Sequence, residues 1–239
     1  MFLLIDFGLC ALAYLARVDA NTTKGEGLNG KTMEKFGFPA LKAMGLRTIA
    51  MVYVTHYKAI DAITSNPLPF IEQLVSTAQK HSLDGFDIDY EPQESNLSSE
   101  QRRTMDNLFM GFMRQLGGAL QRENLILTID IGDCPRYNSF DCATGLSIPG
   151  LQQVNTMGSF GARSIADIQH AAQQNGKALT GKWAPGFEPG NCGKDVFPQI
   201  AAYLRQNNVT RMATWEVHES NTGDQPQWLF ESVGKFFAA

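Results

Sequence analysis

The chain repeats one alternation: a short apolar run, a polar turn, then a segment with helical spacing. Apolar runs lie at 46–54 (LRTIAMVYV), 83–90 (LDGFDIDY), 125–132 (LILTIDIG), 151–158 (LQQVNTMG), 181–187 (GKWAPGF) and 211–217 (RMATWEV). Their lengths suit strands covered on both faces, as a parallel sheet requires. Between them the period changes. In PFIEQLVSTAQKH, residues 69–81, Ile71, Leu74, Val75 and Ala78 fall at i, i+3, i+4 and i+7, one face of a helix. A longer helix is predicted over 99–122 with Ser98 or Ser99 as its cap, and another over 164–175, from a serine into Gly176. Residues 195–207 and 226–237 fit two more. Strands alternating with helices predict βα units and a parallel sheet. Repeated this often, they predict an α/β fold of the TIM-barrel type. A doubly wound open sheet is the alternative, but no Gly-x-Gly-x-x-Gly turn follows the first candidate strand, so a dinucleotide fold has no positive support.

The first residues admit two readings. Residues 2–16, FLLIDFGLCALAYLA, are apolar, and Val18-Asp19-Ala20 fits the end of a signal peptide spanning 1–20. No basic residue precedes the run and Asp6 interrupts it, which favours the other reading, a barrel strand FLLIDFGL leading into a loop. Only two candidate strands then precede the run at 83–90. A barrel would thus lack its first βα unit or carry a degenerate one.

Composition bounds the answer. With 239 residues, 44% hydrophobic and 18% charged, the chain can fill one sizeable core, and a single domain over 1–239 is expected. The net charge of −4 and the lack of a basic block argue against nucleic acid or an anionic membrane as partner. A monomer is expected. Cys10, Cys134, Cys142 and Cys192 form no Cys-x-x-Cys pair, so a zinc site is not expected. Cys134 and Cys142 share the turn-rich segment GDCPRYNSFDCATG, where a disulfide would clip the loop in an oxidising compartment; two free thiols are the alternative. Sequons at Asn21, Asn96 and Asn208 agree with an extracellular or secretory location.

The segment that carries chemistry is Asp84-Gly85-Phe86-Asp87-Ile88-Asp89-Tyr90-Glu91. On a strand, side chains alternate, so Asp87, Asp89 and Glu91 share one face and Phe86, Ile88 and Tyr90 the other. The apolar set suits packing against helices, which aims three carboxyls into the barrel. Such a row loses hydration and repels itself, so some members must hold protons at neutral pH. It adds nothing to stability. Carboxyls whose pKa values are pushed apart do serve as an acid beside an ionised partner. Glu91 is last along the strand, nearest the C-terminal rim where barrel active sites form. A calcium loop is a poor fit, because Phe86, Ile88 and Tyr90 make this a strand.

Asp-Gly-x-Asp-x-Asp-x-Glu, complete at 84–91, resembles the signature of glycoside hydrolase family 18, the chitinases and endo-β-N-acetylglucosaminidases. The resemblance implies a retaining mechanism in which the substrate's own N-acetyl group is the nucleophile. It implies Glu91 as acid and base, Asp89 as the group that orients the acetamide, and Asp87 as the partner of Asp89. Asp84 and Gly85 would be structural. It further implies Trp215 as the floor under the sugar. Read from their places in the chain, Tyr53, Met157 and Glu188 are candidate substrate contacts, with a core residue the alternative for Met157 and an exposed loop acid the alternative for Glu188. The substrate would be a polysaccharide or glycan containing N-acetylglucosamine, with no cofactor and no metal. Two departures stand out. Family members show Met-x-Tyr where this chain has Met157-Gly158-Ser159, and a Ser-x-Gly-Gly turn that the run at 46–54 lacks. On alternation, Asn155, Met157 and Ser159 would face the site. A chitinase-like lectin that binds without turnover is the alternative function.

Overall fold

The connection between the first two strands is two residues long, and that length decides the topology of the barrel. A link so short can join only antiparallel strands; a parallel crossover needs about a dozen residues. In the computed structural model, which describes residues 2–6, 9–19, 42–43, 47–54, 57–92, 97–134, 136–137, 140–187 and 189–214, β1 (Phe2–Asp6) and β2 (Leu9–Asp19) form a hairpin with Asp6 opposite Leu9. The strand expected over FLLIDFGL is therefore two strands. The wall continues with β3 (Arg47–Val54), β4 (Gly85–Tyr90), β5 (Ile126–Ile131), β8 (Leu151–Thr156), β9 (Trp183–Phe187) and β10 (Arg211–Thr214). It closes in the order β1-β10-β9-β8-β5-β4-β3-β2.

Seven of these strands run parallel, and β1 is antiparallel to both of its neighbours. The degenerate first unit is thus a reversed strand, with no helix between it and β2. Without β1, strands β2 and β10 would each present an unpaired edge. The sheet is a closed barrel and not a doubly wound open sheet.

Helices α1 (Tyr57–Ser65) and α2 (Pro67–His81) follow β3, and α3 (Ser99–Arg122) follows β4. The predicted cap of α3 is Ser98. Its hydroxyl accepts from the Gln101 amide at 3.2 Å, and the Gln101 side chain returns the bond to the Ser98 amide at 2.9 Å, a reciprocal cap. Between β5 and β8 come a small hairpin, β6 (Arg136–Tyr137) and β7 (Phe140–Asp141), and one helical turn, α4 (Cys142–Gly145). A disulfide joins Cys134 to Cys142 around that hairpin, with the Cα atoms 5.9 Å apart. Helix α5 (Ile165–Ala171), capped by Ser164, ends in a π turn over Ala172–Gly176, and α6 (Pro189–Gln206) begins six residues before the span read from the sequence. The helix expected at 226–237 lies outside the described residues.

The main core lies between wall and helices. Phe86, Ile88 and Tyr90 of β4 point outward into it, with the ring of Tyr90 stacked on Phe109 of α3 at 3.9 Å. Gly85 sits where β4 and β5 approach most closely: a Cβ there would lie 2.1 Å from the Ile126 carbonyl oxygen. The run read as a strand over 151–158 stops at Thr156, and Met157–Gly161 form a 3-10 turn. Two contacts explain the early end. The Ser159 hydroxyl turns back to the Thr156 and Gly186 carbonyl oxygens, and a Cβ at Gly158 would strike the Asp133 carboxyl.

Candidate active site

The site is built on β4 and its neighbours, and strand register fixes who meets whom. Asp87 is paired with Met51 on β3 and Thr128 on β5; Asp89 is paired with Tyr53 and Asp130. Thr128 and Asp130 are in turn paired with Gln153 and Asn155 on β8. Two polar rows therefore cross the inner wall. One is Asp87-Thr128-Gln153; the other, one step nearer the C-terminal rim, is Tyr53-Asp89-Asp130-Asn155. Glu91 follows β4 directly. Its amide still bonds the Val54 carbonyl oxygen at 3.0 Å, so the ladder carries it to the rim, where it is half-buried.

Asp87 and Asp130 have no exposed surface, and Asp89 is 2% exposed. Burial disfavours their charged forms. It pushes Asp87 up to about 6, against the bonds it receives from Thr128 and Asp130. It pushes Asp89 up to about 8, helped by the nearby charges of Glu91 and Asp87. Asp130 is raised well above the usual carboxylate range by burial and then by the charges of Asp87 and Asp89. Glu91 is also raised by burial, while a bond from the Tyr53 hydroxyl opposes the shift.

The hydrogen bonds agree with a proton shared inside this group. The Thr128 hydroxyl donates to Asp87 Oδ1, and the Asn155 amide donates to Asp130 Oδ1. Gln153 holds Asn155 from behind, Nε2 to Oδ1, at 2.8 Å. That leaves Oδ2 of Asp87, Oδ1 of Asp89 and Oδ2 of Asp130 without a hydrogen-bond partner among the described residues. Carboxylates repel one another, so acids this crowded and this deeply buried favour their protonated forms.

The other expected positions are less concentrated. Asp84 precedes β4, accepts the Thr48 amide at 2.7 Å and lies 3.6 Å from the Lys42 ammonium, so it ties β4 to β3 outside the acid row. Tyr53 stands beside Asp89 and reaches Glu91. Met157 is half-exposed at the start of the 3-10 turn, since the strand that would have aimed it inward has ended. Ser159 is buried against backbone carbonyls and so does not face the site, whereas Asn155 does. Glu188 and Trp215 lie outside the described residues. So do 55–56 and 93–96, which with 188 and 215 follow the C-terminal ends of β3, β4, β9 and β10. Among the described residues, no group of acids, histidines or cysteines could hold a metal ion. No helix there is long and apolar enough to cross a membrane.

Thr128 and Asp130 were not singled out in the sequence. Their signal was present: in Leu127-Thr128-Ile129-Asp130-Ile131 the polar residues alternate with apolar ones, as they do on β4.

No family model and no curated relative matches the sequence. Solved structures do match. A chitinase from Bacteroides thetaiotaomicron superposes with a TM-score of 0.73 at 15% identity, over 95% of this chain and 88% of that one. A chitinase from Chromobacterium violaceum gives 0.72 at 12% identity, over 96% and 92%. A class V chitinase variant from Nicotiana tobaccum, in complex with NAG4, gives 0.71 at 12% identity, over 98% and 94%. The fold is the barrel of these chitinases. Identities this low speak for the chitinase-like barrel itself; which reaction the barrel supports has to be argued from its own side chains.

Proposed function

We propose that the protein is a retaining glycoside hydrolase acting on β-1,4-linked N-acetylglucosamine, in chitin, chitooligosaccharides or N-glycan cores. The observation that carries the reading is the graded acid row of β4: Asp87 sealed in the wall, Asp89 nearly so, and Glu91 half-open at the rim under the Tyr53 hydroxyl.

Glu91, kept protonated more readily than an ordinary glutamate, donates to the glycosidic oxygen. The substrate's acetamide oxygen attacks the anomeric carbon as that bond breaks, which gives an oxazolinium ion. Asp89, two residues inward on the same face, takes the acetamide N–H and offsets the growing positive charge. To do so it must lose its proton. Asp87, adjacent and able to bind a proton near pH 6, is the acceptor. Water then adds to the anomeric carbon as Glu91, now ionised, removes its proton. The glycan partner is recognised by its acetamide, with Trp215, Met157 and Glu188 as further proposed contacts. The disulfide fits an oxidising, secretory setting.

One observation favours a second reading. Where family members carry the tyrosine of Met-x-Tyr, Ser159 is committed to the Gly186 carbonyl oxygen at 2.8 Å. A barrel that keeps its acids but lacks that hydroxyl would bind sugar without turning it over. The test is hydrolysis of a fluorogenic chitooligosaccharide by wild type and Glu91→Gln. Turnover by wild type alone supports the hydrolase. Saturable binding without turnover in both supports the lectin.

A further inference from the structure

We propose that Asn208 carries an N-linked glycan whose first N-acetylglucosamine rests in a groove on the floor of the barrel, at the end opposite the acid row. The inference does not depend on the hydrolase reading. It depends on passage through an oxidising secretory pathway, for which the Cys134–Cys142 disulfide argues.

Helix α6 ends at Gln206, and Asn208 takes up the left-handed conformation, with φ at 56°. Its backbone amide returns to the Arg205 carbonyl oxygen at 3.0 Å, and that of Val209 to Leu204 at 2.9 Å. These are the paired bonds of a helix stop in which asparagine, like glycine, is tolerated. A helix stop alone would explain an asparagine here. Helix α3 ends in the same way, with Asn124 at φ 56° and the Leu125 amide on the Leu120 carbonyl oxygen at 2.8 Å. The two turns differ at the next step. After Asn124 the chain enters the wall directly, and Ile126 is buried as the first residue of β5. After Asn208 the strand starts one residue later, at Arg211, which leaves Thr210 outside it. Val209 packs against the core, while Asn208 and Thr210 on either side of it are exposed. No described residue binds the Asn208 side-chain amide or the Thr210 hydroxyl, whereas the Asn207 amide is committed to the Tyr203 carbonyl oxygen at 2.8 Å.

Asn-x-Thr with both of its working side chains on one open edge meets the demand of the acceptor reaction. There the Asn208 side-chain nitrogen takes an oligosaccharide from a lipid diphosphate. The nitrogen bonds to the anomeric carbon, the bond from that carbon to the phosphate oxygen breaks, the lipid diphosphate leaves, and the amide loses one proton.

The groove gives the first sugar a seat. A cavity of about 440 Å³ opens beside Asn208, between the end of α6, the π turn and the starts of β9 and β10. Half-buried Tyr203 lines it, as does the Trp183 ring beneath Gly176, where a Cβ would come to 3.0 Å from the ring. The Trp183 indole N–H is held by Thr156 Oγ1 at 2.9 Å, so the ring offers the groove only carbon. Gln173, Thr180 and Arg211 add polar groups. Aromatic carbon beside amide, hydroxyl and guanidinium groups suits a sugar, with its apolar C–H faces and its rim of hydroxyls. The groove lies where helices end and strands begin, whereas Glu91 follows the C-terminal end of β4. A glycan on Asn208 therefore leaves the acid row open.

The test uses the full chain recovered from the secretory pathway of a eukaryotic host, as wild type, Thr210→Ala and Thr210→Ser. Each is trimmed to single N-acetylglucosamine stubs, then read by glycopeptide mass spectrometry and by thermal melting. Thr210 is changed because asparagine at 208 also holds the turn. Wild type and Thr210→Ser are expected to carry a stub at Asn208 and to melt about 2–4 °C above Thr210→Ala. Sugars on Asn21 or Asn96 would be common to all three and cancel. The gap is expected to close when Tyr203→Ala is added to both wild type and Thr210→Ala. A wild-type Asn208 peptide without sugar overturns the proposal. So does a wild type glycosylated at Asn208 that melts together with Thr210→Ala. Occupied, stabilising Asn208 in a protein that cleaves no chitooligosaccharide leaves the inference standing and removes only the hydrolase reading.

Discussion

The two faces of β4 differ in almost every physical respect, although they alternate within six residues. The outer face is Phe86, Ile88 and Tyr90, all buried against helices, with Tyr90 stacked on Phe109. It stabilises the fold by removing apolar surface from water. The inner face is Asp87 and Asp89, continued by Glu91, and each of these acids is disfavoured where it stands. One strand thus holds the barrel together with one set of side chains and holds it in tension with the other. Asp87 and Asp89 are buried as completely as the outer set, so burial alone does not tell a core from a site. The sign of its energetic effect does.

That contrast can be broken at several points. The largest effect belongs to the residue that serves both faces. Gly85→Val places a side chain against the Ile126 carbonyl and is expected to yield no folded protein, read as loss of soluble expression and of a cooperative melt. Next is Glu91→Gln, which should lower kcat on a chitooligosaccharide by about a hundred- to ten-thousandfold with the melting temperature nearly unchanged. On the outer face the pattern inverts. Tyr90→Ala should cost about 3–5 kcal/mol in denaturant unfolding, and the folded fraction should keep the acid row's pH profile.

Smaller and opposite in sign is Asp89→Asn, which removes a charge the interior resists. Asp89 binds its proton more tightly folded than unfolded, so its contribution to stability is full below the unfolded carboxyl range, near pH 4. That contribution is lost as pH rises toward about 8. Wild type should therefore melt at a lower temperature at pH 8.5 than at pH 5.5. Asp89→Asn should recover about 1 kcal/mol at the higher pH, with turnover abolished. A wild-type melting temperature that rises with pH over this interval would show that the inner acids are not held as described.

The sequence made some of this legible and hid the rest for identifiable reasons. The inward aim of Asp87 and Asp89 followed from a period of two bounded by Gly85, and the Ser98 cap from its Gln101 partner. Asp130 obeyed the same rule on β5 but sat in no known signature, so it went unmarked. The hairpin β1–β2 was hidden because residues 2–16 form one nearly continuous apolar stretch broken only by Asp6 and Gly8. The end of β8 depended on Ser159 reaching Gly186 on the next strand and on Gly158 lying against Asp133. Contacts of that kind, made across strands, leave no local trace. Helix α1 was missed because β3 and β4 are joined by two helices, separated only by Asn66, where one was expected.

Strand β1 is gripped on one side by β2 and on the other by β10. The ring therefore has a clasp made from the earliest and the latest wall segments to leave the ribosome. While the chain is being made, residues 2–6 can find β2 at once but must wait some two hundred residues for β10. Through that interval the growing sheet carries two open borders, and a chaperone that shields them would be expected to matter more for making this protein than for keeping it.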